Sequence, residues 1–416
     1  MGNGIRQREQ RDWAGQDEPG LVVGTASAAW PQGLTVLVNA GPWLALPTGS
    51  GGLEDVVAML ITGLRERGVR VVLASVGDTS LPADELIFAF DHGQHARMGQ
   101  AYVQTNSIAA AHMQVVINRI RTGGIELVHD HLEIYGPAML AAMGDDAPPV
   151  LHTVHWRLDK HEDYSRFYEL LDGRGRVGIV ARSAEQLSRF PERLRRQVVA
   201  IVPNGTDVPF LELPPRRDGR LLMLNDIAPL YGTDHIAAAC AELGVALTLA
   251  GPLAGMTSVA ELHRLRQAAA VGPDQLSDRS GYLWFVANVQ PHLRGGRAGV
   301  QWIGTVTGDR KWRLLRSAPA LLTTCTSGQS VIQALTLGVP VITTGEWGDQ
   351  HLVRDGVNGF IIERGAAALG AALQKLPRIS AQDCRDSVAD YSAQSMIDGY
   401  LRVYQRAVHA DSWGRV

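Results

Sequence analysis

The sequence predicts an α/β protein made of two Rossmann-like, doubly wound domains facing a cleft. Three observations predict it. Short, near-continuous apolar runs alternate with stretches whose apolar residues recur at helical spacing, the pattern of a parallel sheet covered on both sides. That rhythm breaks once, at PNGTDVPFLELPP (203–215), a stretch of Pro and turn-formers, and then restarts. Two α/β domains in series place a ligand between them, where the loops after the carboxyl ends of the strands converge.

The elements follow in order. Residues 1–33 form a polar, Gly- and Ala-rich extension without the apolar region of a signal peptide. LTVLVNA (34–40) is a strand. GLEDVVAMLITGL (52–64) is a helix, with Leu53, Val56, Val57, Leu60, Ile61 and Leu64 on one face. VRVVLASV (69–76), IELVHDH (125–131), PPVLHTVH (148–155), RVGIVARS (176–183) and VVAIVP (198–203) are further strands of a domain spanning 34–204. The second domain, 205–392, has strands at RLLMLND (220–226), VALTLAG (245–251), GVQWIG (299–304), ALLTTC (320–325), VPVITT (339–344) and GFIIE (359–363). Within it, 255–298 is a long insertion carrying a helix near 257–270 and a basic stretch around Arg294 and Arg297. A last helix, about 394–408, presents Met396, Tyr400, Val403 and Tyr404 on one face.

Composition narrows the function. With 416 residues the chain suits two domains of roughly 150–200 residues. Thirty-nine basic residues against 42 acidic ones give a net charge of −3, so no global charge points to nucleic acid or a membrane. No apolar run is long enough to span a bilayer. Cys240, Cys325 and Cys384 are widely spaced, which fits free thiols in a cytoplasmic protein. Of the basic residues only Lys160, Lys311 and Lys375 are lysine and the remaining 36 are arginine, a GC-rich codon signature. His129, Asp130, His131, His152 and His155 cluster at strand ends, but no HExxH or carboxylate cluster supports a metal site.

Six pieces of the chain resemble the retaining, metal-independent GT-B glycosyltransferases of family four, over about 34–408. They are GSGGLEDVVAMLITGLRERGVRV, LVHDHLEIYGPAML, PPVLHTVH, IVPNGTDV, GVPVITTGEWGDQHLVRDGVNGFII and the terminal LRVYQRA. The resemblance implies a glycosyltransferase moving a sugar from a UDP- or GDP-sugar co-substrate to a small polar acceptor, with no cofactor and no metal. It also implies that 393–416 crosses back to the first domain. Catalytic roles fall on His131 and Gly52. Donor contacts fall on Gly51, Asn225, Asp226, Tyr231, Gly232, Thr305, Val306, Cys325, Thr326, Ser327, Gly328, Gln329, Ser330 and Gln333. Acceptor contacts fall on Gly49, Asp130 and His155. Ser327 is the expected N-cap of a helix whose start would hold the diphosphate. Each position also has a plain structural reading: a strand–helix turn, a satisfied core histidine, another βα unit.

Two departures stand out. The family's glutamates eight residues apart are Cys325 and Gln333 here, and its phosphate-binding Arg and Lys are Asp226 and Tyr231. An acidic residue beside a diphosphate repels it. Arg310, Lys311 and Arg313, or Arg294 and Arg297, are replacements, although a solvated helix face is the favoured reading of the first three. The alternatives to a conventional transferase are an atypical enzyme forming a nitrogen or sulfur link in secondary metabolism, and a non-catalytic GT-B partner of an active transferase. A homodimer is compatible with the sequence.

Overall fold

The computed structural model describes residues 33–48, 52–98, 102–158, 162–209, 219–267, 279–294, 296, 299–348, 352–409 and 413. The first sheet comprises β1 (Thr35–Asn39), β2 (Arg70–Ser75), β3 (Glu85–Phe88), β4 (Leu127–Asp130), β5 (Val150–Thr153), β6 (Val177–Ala181) and β7 (Val198–Ile201). All its pairs are parallel, in the order β3-β2-β1-β4-β5-β6-β7. The sequence did not foretell β3. It is a short edge strand with half-buried residues, so it lacks the apolar run that marks the others.

The second sheet comprises β8 (Leu221–Leu224), β9 (Leu247–Ala250), β10 (Val300–Trp302), β11 (Leu321–Cys325), β12 (Val341–Trp347) and β13 (Gly359–Ile361). It too is parallel, in the order β10-β9-β8-β11-β12-β13. Each sheet therefore reverses its winding once, between β1 and β4 and between β8 and β11. These are the points where an open α/β sheet receives ligands.

Strand alternation builds two cores around the first sheet. Val36 and Val38 face the helices Leu53–Glu66 and Ala393–His409, while Leu37 faces the helices Tyr102–Arg121 and Tyr135–Ala142. The second sheet has one extensive core, which takes in Leu222, Leu321, Val341 and the helix Gln329–Thr336.

The terminal helix belongs to the first domain. Met396, Tyr400, Val403 and Tyr404 are all buried in its core. Each such side chain contributes about 1.5–3 kcal/mol relative to exposure. Arg67, which caps the end of helix 53–66, pairs with Asp398 at 3.3 Å. The two chain crossings between the domains run side by side: the Thr206 N–H donates to the Tyr391 carbonyl at 2.9 Å, and the Ala393 N–H to the Thr206 carbonyl at 3.0 Å. Among the described residues no helix is long and apolar enough to cross a membrane.

Candidate active site

A cleft of about 400 Å³ opens between the carboxyl ends of the two sheets. That lies within the roughly 300–1,000 Å³ of a typical ligand pocket.

On the second domain, every strand near the winding reversal delivers residues into the cleft. Asn225 and Asp226 follow β8, Gly251 and Pro252 follow β9, Thr305 and Val306 follow β10, and Cys325 ends β11. Ser327, Gly328, Gln329 and Ser330 form the turn into helix 329–336, whose Gln333 also lines the cleft. Gly328 caps that helix with φ 119°, a backbone region that favours glycine, and a Cβ there would meet nothing within 4 Å. The expected cap, Ser327, is corrected: the cap position is Gly328, which has no side chain to offer, and the first turn has no acid. Its first N–H groups therefore have no intrahelical acceptor and carry the positive end of the dipole.

The helix start on the first domain is different. Gly52 lines the cleft there, but Glu54 and Asp55 occupy the first turn, and Asp55 accepts from the Thr48 N–H at 3.0 Å and hydroxyl at 2.9 Å. These carboxylates already complement the dipole, so this terminus is a poor anion site. Of the two helix starts, the one on the second domain is the better anion site.

Several buried polar atoms at the cleft have no partner among the described residues. They are Asn204 Oδ1, Asn225 Nδ2, Thr305 Oγ1 and Gln329 Oε1. Such atoms are costly unless a ligand or water satisfies them. The Gln329 amide nitrogen donates to the Gly205 carbonyl at 2.9 Å, tying this turn to an interdomain crossing. Burial pushes the Asp226 carboxyl up. Burial, then Asp226 and Cys325, push the Tyr231 phenol up to about 12, so it is a neutral hydroxyl donor. Gly232 contributes only its turn: at φ 61°, an added Cβ would lie 2.1 Å from the His235 ring.

On the first domain the cleft receives His155 and Trp156 after β5, Arg182 after β6 and Asn204 after β7. Behind them lies a fully buried polar chain. His152 donates from Nδ1 to Asp130 at 2.6 Å, and its Nε2 lies 2.9 Å from the Tyr168 hydroxyl and 3.4 Å from Glu133. Burial alone would push this imidazole down, but Asp130 and Glu133 together raise it to about 9. Glu133 also takes the Tyr168 proton donor and the backbone N–H groups of His155, at 2.7 Å, and Trp156, at 3.3 Å. The charged His152 thus fixes Glu133, and Glu133 fixes the loop that presents His155 to the cleft. Ile134, next to Glu133, sits at φ 65°, an uncommon conformation for a β-branched residue, and marks the turn after β4 as constrained.

The structure relocates several expected residues. Asp130 does not reach the cleft; it is wholly buried, accepting from Asn39 Nδ2 at 2.6 Å as well as from His152. His131 is also buried. It meets His155 Nε2 at 2.9 Å through Nδ1, and His155 is the ring that lines the cleft. Burial drives the His131 imidazole down to about 3 and holds His155 well below its ordinary range, so both are neutral. Thr326 is buried beneath the turn. Gly49 and Gly51 lie outside the described residues. The reading of residues 310–313 as one solvated face holds for Arg310 and Arg313, which are exposed, but not for Lys311, which is buried and lines the cleft. Sequence reasoning missed Trp156, Arg182 and Asn204, although Trp156 and Asn204 directly follow strands that it had identified and Arg182 lies near the end of another.

Two family models match the chain. The one described as Glycosyltransferase Family 4 covers residues 50–209, and the one described as Glycosyl transferases group 1 covers 290–391. They fall on the two domains that enclose the cleft. The chain is a GT-B glycosyltransferase. Solved structures share the fold of this glycosyltransferase at low identity. AviGT4, a glycosyltransferase involved in avilamycin A biosynthesis, is 19% identical with a TM-score of 0.53, over 90% of this chain and 98% of that one. Sucrose-phosphate synthase from Thermosynechococcus elongatus is 15% identical with a TM-score of 0.67, over 90% and 98%. Anabaena HepE in complex with UDP-glucose is 14% identical with a TM-score of 0.58, over 90% and 100%. No curated protein sequence matches the chain.

Proposed function

We propose that this glycosyltransferase moves a sugar from a nucleoside-diphosphate sugar to a small polar acceptor, with retention at the anomeric carbon. One observation carries the reading: on the second domain the helix start at the cleft is capped by Gly328 and has no acid in its first turn, while the matching start on the first domain is filled by Glu54 and Asp55. The diphosphate lies against Gly328–Ser330, and the orphaned Asn225 and Thr305 atoms meet the nucleoside and the ribose region. Gln333 offers both a donor and an acceptor to a diol. The acceptor lies against His155, Trp156 and Asn204. The complexes of HepE with UDP and with UDP-glucose lend support for the donor class.

In the proposed reaction the bond from the anomeric carbon to the phosphate oxygen breaks, and the acceptor oxygen bonds to that carbon on the same face. The acceptor proton passes to the departing phosphate oxygen, so no carboxylate base is needed. The protein contributes orientation and stabilisation of the departing diphosphate by the helix N–H groups. Neutral His155 serves the acceptor as a hydrogen-bonding group.

Calorimetry with UDP, GDP, ADP and dTDP tests the reading. One of them should bind with a submillimolar dissociation constant, and Ser330→Pro, which deletes an N–H from the helix start, should weaken it several-fold without lowering Tm. Failure of all four to bind overturns the proposal.

A further inference from the structure

A diphosphate in this cleft needs positive charge beyond a helix dipole, and the positions after β8 supply none. Asp226 is acidic and Tyr231 is uncharged. Among the described residues that line the cleft, the cationic side chains are Arg182 on the first domain and Lys311 on the second.

Lys311 stands out on physical grounds. Helix 308–317 follows β10, and its outward positions Arg310 and Arg313 are solvated. Lys311 shares the inward face with Leu315 one turn later and is only 3% exposed. An ammonium buried to that degree is costly unless anions compensate it. Burial pushes it down to about 8, against the opposing pull of Asp55 across the cleft. The Trp312 ring lies 4.6 Å from its Nζ. The same wall of the cleft holds the unpartnered Thr305 Oγ1 and the helix start at Gly328.

We propose that Lys311, reaching inward from helix 308–317, is the cation that meets the diphosphate of the donor, replacing a charge that the turn after β8 does not provide. This rests on the donor reading above and adds to it the residue that recognises the phosphates. In the free protein the charge of Asp55 favours the ammonium, and the donor phosphates add to that effect on binding. A compact ammonium suits a slot this enclosed better than a forked guanidinium does.

The test is calorimetry on the full-length chain with UDP and uridine, or with whichever nucleoside diphosphate of the panel binds and its nucleoside. Lys311→Met should weaken the diphosphate at least tenfold and leave the nucleoside within twofold. Equal losses for both, or no loss for the diphosphate, overturn the proposal, as does a phosphate-specific loss in Arg182→Met with Lys311→Met unaffected. If no nucleoside diphosphate binds the wild type, the donor reading falls and this proposal with it. If one binds and Lys311→Met binds it equally, only this proposal falls. Should Lys311→Met not fold, reductive methylation of the wild type gives the answer: the diphosphate should protect Lys311 while exposed Lys375 reacts unchanged, and absence of protection overturns the proposal.

Discussion

Replacing His152 by Gln should expose an electrostatic contribution buried in the first domain. The imidazole is raised to about 9 because Asp130 and Glu133 outweigh the burial that opposes its charge. A raised value stabilises the fold fully below the unfolded value near 6.5, and the contribution drains away as pH rises through about 9. At about 1.4 kcal/mol per pH unit, the shift is worth about 3 kcal/mol. Lys311 works in the opposite sense. Its value is lowered to about 8, so the folded state regains stability above that pH and masks part of the loss. The difference between wild type and variant removes that masking. His152→Gln leaves two carboxylates without their cation and should cost about 3–5 kcal/mol at the acidic end of the window. Urea unfolding followed by circular dichroism, from pH 6.5 to pH 9, should show the gap closing by about 3 kcal/mol. Parallel profiles at every pH would refute a charged His152.

Two further outcomes follow from the same geometry. Gly136→Ala places a Cβ 2.2 Å from Asp130 Oδ2, a carboxylate pinned by Asn39 and His152, so it should cost about 1–3 kcal/mol and lower Tm; an unchanged Tm would show that Asp130 is free to move. Asp226→Asn removes a like charge beside the proposed diphosphate and should tighten its binding about tenfold by calorimetry, equivalent to about 1.4 kcal/mol, whereas equal or weaker binding would place Asp226 away from the phosphates.

The fold was largely legible because parallel strands buried on both faces leave unbroken apolar runs. β3 escaped for the converse reason: Glu85–Phe88 lies at an edge, with partly exposed residues. The second domain's cleft residues were legible because they sit directly after strand ends. Trp156, Arg182 and Asn204 carried the same signal, one to three residues past β5, β6 and β7. Lys311 was harder to read. GDRKWR is polar throughout, and only the phase of Lys311 relative to Leu315 turns it inward. The charge on His152 was not legible at all. It depends on Asp130, Glu133 and Tyr168 meeting around one ring, and a strand-end histidine looks the same in sequence with or without them.

The returning terminal helix also governs when the first domain can be finished during synthesis. His129 Nδ1 meets the Tyr404 hydroxyl at 2.6 Å across 275 residues of chain, and Trp413 Nε1 donates to the Val150 carbonyl at 2.9 Å. At translation rates of about 5–20 residues per second, the first sheet waits roughly 15–55 s for those partners. Through that interval the apolar face of Val36, Val38 and helix 53–66 lacks its cover, while the second sheet receives all of its strands. The domain that leaves the ribosome first is therefore the last to close, and a nascent chain stalled before Tyr400 presents an uncovered apolar surface to chaperones.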